Sequence, residues 1–385
     1  MNRLQKLALM FVTGAVLVSF GAGSARSDQF STSPRQNSGD KWRIGYYEGG
    51  AYGNYVAYLQ ATVKGLMELG WIQKKAIPAH EDSESLWRWL SSNAKSDYLE
   101  FATDAFYTAG WDEDSRQETK EETIDRLKKS GDIDLIIAMG TWAGQDLAND
   151  RHRTPTIVMS SSDPVGSGII KSVEDSGYNH VHARVDPLRY ERQVRVFHDI
   201  IGFQKLGIAF EDSVNGRSYA AIDLVEKVAK ERGFEVVRCY TQSDIADKER
   251  AGDSVLNCFR DLAKKVDAIY VTAQGGVNAE TIPLMVRIAN EHGIPTFSQV
   301  GSSEVKYGFL LSISRAEGFQ PIGLFMAATI AKIFNGAKPR DLNQIFEEAP
   351  NLAINLKTAE KVGLYLYAEV LAASDEIYRE IEIPR

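Results

Sequence analysis

Chemistry-bearing signatures are scarce in this 385-residue chain. Its only cysteines are Cys239 and Cys258, and neither lies near the N-terminal apolar segment, so there is no thiol there to carry a lipid anchor. No G-x-x-x-x-G-K-[ST], H-E-x-x-H or G-x-S-x-G occurs, which removes the usual phosphate loop, zinc protease and serine hydrolase signatures. "MGTWAGQ" puts two glycines at a strand-to-helix turn without completing the G-x-G-x-x-G of a dinucleotide fold. Six histidines are present, and only His180 and His182 are close. Two apart on a strand they share a face, but no cysteine or third histidine is near, so they read as a surface or edge pair and no metal is expected. Basic residues are also in deficit, 44 Lys and Arg against 52 Asp and Glu. That balance argues against nucleic acid or an anionic membrane as partner.

Long apolar runs are confined to the start. "MNRLQK" is basic, "LALMFVTGAVLVSFGAG" is apolar, and small residues follow at Ala25 and Ser27. The run is short and glycine-broken, so residues 1–27 read as a cleaved secretory signal rather than a single membrane anchor. Cleavage would leave 41 basic and 52 acidic residues, a net charge of −11. The mature chain is expected to be soluble and periplasmic. "PIGLFMAATIAKIF" falls short of the roughly 18 residues a membrane span needs and contains Lys332, so it reads as a buried helix. An oxidising compartment permits a Cys239–Cys258 disulfide, with two separate buried thiols as the alternative.

Polar residues 28–40 read as a disordered leader. Beyond Lys41, short apolar runs alternate with amphipathic stretches: "WRIGYY", "IDLIIAMG" and "TPTIVMS" as strands, "YVAYLQATVKGLMELG" and "GIIKSVED" as helices. A second such series follows Asp186-Pro187, including "GRSYAAIDLVEKVAKERG" as one helix. This is the pattern of an α/β protein with two doubly wound parallel-sheet lobes. The expected lobes are 41–186 with about 315–340, and 187–314 with about 341–385, joined by a hinge of three crossovers near Asp186, Arg315 and Arg340. "ESLWRWLSSNAKS" is an aromatic, helical insertion.

Ligands of open parallel sheets bind beyond the carboxyl ends of the strands, where helix N-termini attract anions. The loops at those ends include "YYEGGAYGN", "GTWAG", "SSSDPVGSG", "EDSVNGRS", "AQGGVNAE" and "SQVGSSE". They are rich in hydrogen-bonding residues and lack a catalytic constellation. They fit a reversible binding cleft rather than an enzyme.

"DLIIAMGTWAGQDLA", "TPTIVMSSSDPVGSGIIKSVE", "VDAIYVTAQGGVNAE" and "FMAATIAKIFNGAKPRDL…LAINLKTAEKVGL" together resemble the tryptophan/tyrosine-type substrate-binding proteins of ABC importers, a type I periplasmic binding fold. The resemblance runs from Lys41 to about Leu366. It implies that Ser161 or Ser162 lines the cleft, with Asp163 capping a short helix that starts at Pro164. It places Thr141 against a ligand carboxylate or other acceptor, and Asn215 on the opposite lobe. Gln274 stands where the family often has an aspartate for a ligand amine, which puts an α-amino-acid ligand in doubt. Tyr46, Tyr47, Tyr52 and Trp142 are candidates to stack on a ring, and Glu48 with Arg315 a candidate charged pair. The function implied is capture of a small polar or aromatic ligand, without cofactor, by a monomer that docks on an importer's permease. The alternative is a sensor that presents its closed form to a membrane histidine kinase or chemoreceptor.

Overall fold

A computed structural model describes residues 30–315, 318–347 and 350–384, with the side chains of 314 and 315 left undescribed. The expected signal segment lies outside the described residues.

The first sheet is built from β1 (Trp42–Glu48), β2 (Leu99–Thr108), β3 (Leu135–Met139), β4 (Thr156–Met159) and β5 (Val181–Ala183). Their order is β2-β1-β3-β4-β5 and every pairing is parallel. Central β3, "LIIAM", is buried at all five positions, as a strand covered on both faces must be. Between these strands run α1 (Gly53–Glu68), α2 (Ser83–Asn93), α3 (Glu113–Lys129) and α4 (Gly140–Leu147). Asp82 and Asp112 start α2 and α3 by accepting the N–H of Ser85 and Ser115.

The chain then enters the second sheet through α5 (Arg189–Ile201) and β6 (Lys205–Phe210). There follow α6 (Val214–Ala220), α7 (Ile222–Arg232), β7 (Glu235–Tyr240), α8 (Lys248–Leu262), β8 (Ala268–Val271), α9 (Ile282–Glu291), β9 (Thr296–Ser298), α10 (Ser302–Lys306) and β10 (Leu311–Arg315). Helix α11 (Gln320–Phe334) returns to the first lobe and packs on α1. A Cβ on Gly323 would stand 2.5 Å from Ala61 O, and one on Gly65 2.8 Å from Ala327 Cβ. Only glycine lets these two helix backbones approach so closely. β11 (Pro350–Asn355) and β12 (Glu376–Tyr378) complete a seven-stranded sheet of order β12-β11-β10-β9-β8-β6-β7, in which only the β10–β11 pair is antiparallel.

Two of the connecting segments run side by side. Val185 bridges Ile345, with Val185 N donating to Gln344 O at 2.8 Å and Phe346 N to Val185 O at 2.9 Å. Arg184 also donates to Phe346 O at 3.0 Å.

Three expectations are corrected. Residues from Phe30 to Asp40 are ordered against the first lobe: Thr32 O accepts from Trp71 Nε1 at 2.8 Å, and Arg35 O from Trp42 Nε1 at 2.9 Å. The buried indole of Trp71 and the half-buried one of Trp42 need acceptors, and the leader backbone supplies them. "GIIKSVED" is a run of turns, not a helix. Gly168 sits at φ 72°, and both Ile169 and Ile170 donate to Pro164 O, which closes the chain too widely to start an α-helix. "GRSYAAIDLVEKVAKERG" breaks into α6 and α7 at Ala221, φ 50°. His182 lies on edge strand β5 and His180 just before it, but both are buried, with His182 Nε2 3.0 Å from Asn343 O. Among the described residues no group of His, Cys, Asp and Glu is arranged to hold a metal.

Cys239 and Cys258 are bonded, with Cα atoms 5.6 Å apart, joining β7 to α8. Closing this short loop restricts the unfolded chain, so replacing both cysteines by serine should lower stability by about 3 kcal/mol. Equilibrium urea unfolding of both proteins measures it; an unchanged midpoint would remove the bond's role.

Candidate functional site

The carboxyl ends of the two sheets face one another. Ser218 Oγ, on α6, donates to Asp163 O, after β4, at 3.3 Å across the gap. The charge of Asp244, after β7, acts on Tyr55 of α1 and Arg116 of α3. The wall of the first lobe is assembled from four loops.

After β3, Gly140 turns the chain at φ 88°, and a Cβ there would overlap the Tyr55 hydroxyl. Glycine therefore seats Tyr55 beside the start of α4, a helix whose N-terminus no side chain caps. Its first N–H groups remain available to an anion. Thr141 Oγ1 stands 3.4 Å from Ser161 Oγ, so two of the expected residues meet here. Ser160 reaches this place in a left-handed conformation, φ 58°, which turns the serine run off the end of β4. Ser162 is half-buried beside it. Asp163 does cap, its Oδ1 accepting Gly166 N at 2.8 Å, but it caps a turn and not the expected helix.

Trp142 lies 3% exposed between two partners. The Arg116 guanidinium stands 4.4 Å from its ring and Trp111 meets it edge-on at 5.4 Å. Arg116 is fixed from behind by Asp146, at 2.9 and 3.1 Å. Gly50 is tucked under Trp111, where a Cβ would come within 2.5 Å of the indole. The Trp142 Nε1 is buried without a hydrogen-bond partner among the described residues.

On the second lobe, Ser213 caps α6 through Gly216 N at 3.0 Å and presents Asn215 in the first turn. Asn215 Oδ1 is buried without a hydrogen-bond partner among the described residues. Such an atom costs free energy unless something else completes it, and a ligand donor would do so. Gln274 has nothing left to offer. Its Oε1 accepts from Thr241 at 2.7 Å and its Nε2 donates to Ala209 O and Thr272 Oγ1, both at 2.8 Å. It ties the ends of three strands together.

The remaining expected residues divide. Tyr47 lies in the core, donating to Asp146 Oδ2 at 2.8 Å, and is spent there. Tyr46 stacks on Phe106 at 5.2 Å and donates to Glu48 Oε2 at 2.8 Å. Tyr52 is half-buried with its ring 5.3 Å from Tyr55. Glu48 is buried, and burial pushes its carboxyl up to about 7. The Arg315 side chain lies outside the described residues.

Residues not expected from the sequence complete the cleft. They are Tyr55, Trp111, Arg116, Glu211, Tyr219 and Asp244. Arg116 and Trp111 follow β2, and Asp244 follows β7. Both loops stand at a strand's carboxyl end, the same signal that singled out the others. Glu211 accepts the N–H groups of Ser243 and Asp244 at 2.8 and 3.0 Å, fixing the loop that carries Asp244.

A family model described as ABC transporter substrate binding protein matches residues 108–378. A tyrosine-binding protein of Clostridioides difficile is 27% identical over 172 residues, 44% of this chain and 46% of that protein, so the match spans about half of the relative. Among solved structures, a conserved domain protein from Vibrio cholerae shares 19% identity with a TM-score of 0.66, over 88% of this chain and 100% of that one. An ABC domain in complex with L-Trp from Streptococcus pneumonia gives the same four values, 19%, 0.66, 88% and 100%. A ligand-free, open substrate-binding protein with adhesive properties from Clostridium difficile shares 20% identity with a TM-score of 0.56, over 89% of this chain and 100% of that one. At these identities the structures establish the fold, two α/β lobes.

Proposed function

This chain belongs to the ABC transporter substrate binding protein family, and from that premise we propose that it captures an amino-acid-like ligand between its lobes and delivers it to a membrane permease. One observation carries the reading. The polar loops at the carboxyl ends of the parallel strands of two sheets converge on one gap, bridged by Ser218 and Asp163, with Thr141 and Ser161 on one side and, on the other, Asn215 Oδ1, which has no partner among the described residues. A ligand held by both lobes stabilises the closed form relative to the open one, as closure requires. The hinge is the paired segment at 184–186 and 344–346. The lobes are 41–186 with 315–340, and 187–314 with 341–385. The apolar N-terminal segment sends the chain to the periplasm. Hydrolysis of ATP belongs to another subunit.

The relative named for tyrosine and the neighbour holding L-Trp make L-tyrosine and L-tryptophan the first ligands to test. In this cleft the donors of α4, Thr141 and Ser161 take the ligand's carboxylate, and Trp142 and Tyr52 border its side chain. Calorimetric titration should show binding of one of the two, with small-angle scattering showing a more compact particle when it is bound. Thr141→Val and Asn215→Ala should each weaken binding about twofold to tenfold, the worth of one neutral hydrogen bond. Unchanged affinity in both variants would place the ligand elsewhere.

A further inference from the structure

Asp244 is a half-buried cleft carboxylate whose oxygens have no hydrogen bond and no ion pair among the described residues. Its position is nonetheless fixed, because Glu211 Oε2 holds the N–H of both Ser243 and Asp244. The acidic side chains around it are engaged or repulsive. Glu211 is spent on that loop, and the charges of Glu211 and Glu113 oppose its own. The nearest cation, Arg116 across the gap, attracts it but is already committed. Arg116 donates to both Asp146 oxygens and to Gln145 Oε1 at 3.2 Å, and lies on Trp142. The other groups facing it, Tyr55 and Tyr219, are buried phenols held neutral by burial. Gln274, the neighbouring polar group of the same wall, has no free atom.

A partly buried carboxylate without a partner, preorganised and facing a cleft, is a site waiting for a positive charge. We propose that Asp244 receives a cationic nitrogen of the ligand, so that the cleft selects amines and zwitterions over simple carboxylates. The inference rests on the interlobe reading above. Burial, reinforced by Glu211, pushes the Asp244 carboxyl up to about 7, which is the electrostatic state an ammonium partner would relieve. The donor-rich start of α4 with Thr141 and Ser161 forms the opposite pole, so a zwitterion spans the two.

Three probes sharing one ring separate the poles: L-tyrosine, tyramine and 3-(4-hydroxyphenyl)propionate. Each is titrated into wild type, Asp244→Asn and Asp244→Lys, with thermal unfolding as the check on folding. In Asp244→Asn, L-tyrosine and any measurable tyramine binding should weaken about ten- to a hundredfold, the range for a charge-assisted hydrogen bond. The propionate should bind Asp244→Asn as it binds wild type, and Asp244→Lys should bind it more tightly. Wild type that holds the propionate as tightly as L-tyrosine, or Asp244→Asn that keeps full affinity for L-tyrosine, overturns the assignment and leaves the interlobe site standing. Where wild type holds L-tryptophan instead, tryptamine and 3-(indol-3-yl)propionate replace the two analogues and the same outcomes apply; wild type that binds neither amino acid overturns both.

Discussion

Trp87→Ala should destabilise the protein by about 3–5 kcal/mol, the range for removing a large aromatic side chain from a packed core. Trp87 is 1% exposed, and its ring meets Phe101 at 5.3 Å and Tyr46 at 5.4 Å. Its Nε1 donates to Ala102 O at 2.9 Å, so alanine also strands a buried carbonyl. The helical insertion that carries it is therefore part of the first lobe's core. The damage should reach the cleft as well, because Tyr46 positions Glu48 at the end of β1. Trp89, two residues on, is half-buried against Lys75 at 5.4 Å and should cost about 1 kcal/mol or less when replaced. Urea unfolding of both variants decides the matter. Equal, small losses would mean the insertion rides on the surface.

Glu304→Gln should stabilise the protein in alkali and leave it nearly unchanged in acid. Glu304 is buried beneath the second sheet, accepting from Ser298 Oγ at 2.6 Å, and burial pushes its carboxyl up to about 7 from 4.5. Below 4.5 the group is protonated in both folded and unfolded chains and pH does not act through it. Between 4.5 and 7 the unfolded chain gives up its proton while the folded chain keeps it, so stability falls as pH rises. Above 7 the loss is complete, about 3 kcal/mol by linkage. Glutamine keeps an acceptor for Ser298 and carries no charge, so the gain should grow from near zero at pH 4 to roughly that figure at pH 8. Buried His182, held down to about 4 from 6.5, acts with the opposite sense, its stability lost as pH falls from 6.5 towards 4. The two slopes oppose one another in wild type, and only the variant separates them. A stability difference independent of pH would show that Glu304 ionises normally.

Much of this architecture is written into local sequence. Continuous apolar runs such as "LIIAM" and "TIVM" mark strands buried on both faces, and the capping aspartates mark where helices begin. What misled was glycine and alanine at special backbone positions. Gly168 turned an apolar stretch into turns, and Ala221 split a helix whose periodicity runs straight through the break. The loops after β3 and β4 were legible because they follow strands and are rich in serine and glycine, while Thr141 and Ser161 came from the resemblance to the family and stand 3.4 Å apart. Gln274 was legible as a position but not as a role, since two of its three hydrogen bonds go to residues distant in the chain, Thr241 and Ala209. Tyr47 looked like Tyr52 on paper, yet Tyr47 lies within buried β1 whereas Tyr52 lies beyond the strand, at the start of α1. Arg116 and Asp244 lie in charged stretches, "DEDSRQETK" and "SDIADKER", that read as solvated surface. Only the strand order shows that these stretches stand over the gap.

The glycine contact between α1 and α11 also dictates an order of events. Synthesis runs from the N-terminus, so α1 exists long before its partner, which ends at Phe334. Until then the face that packs around Gly65 has no cover, whereas β6, β7 and β8 can already pair. The lobe that is made first is therefore finished late, and a nascent or truncated chain ending before residue 320 displays an uncovered helix face that would invite chaperone binding.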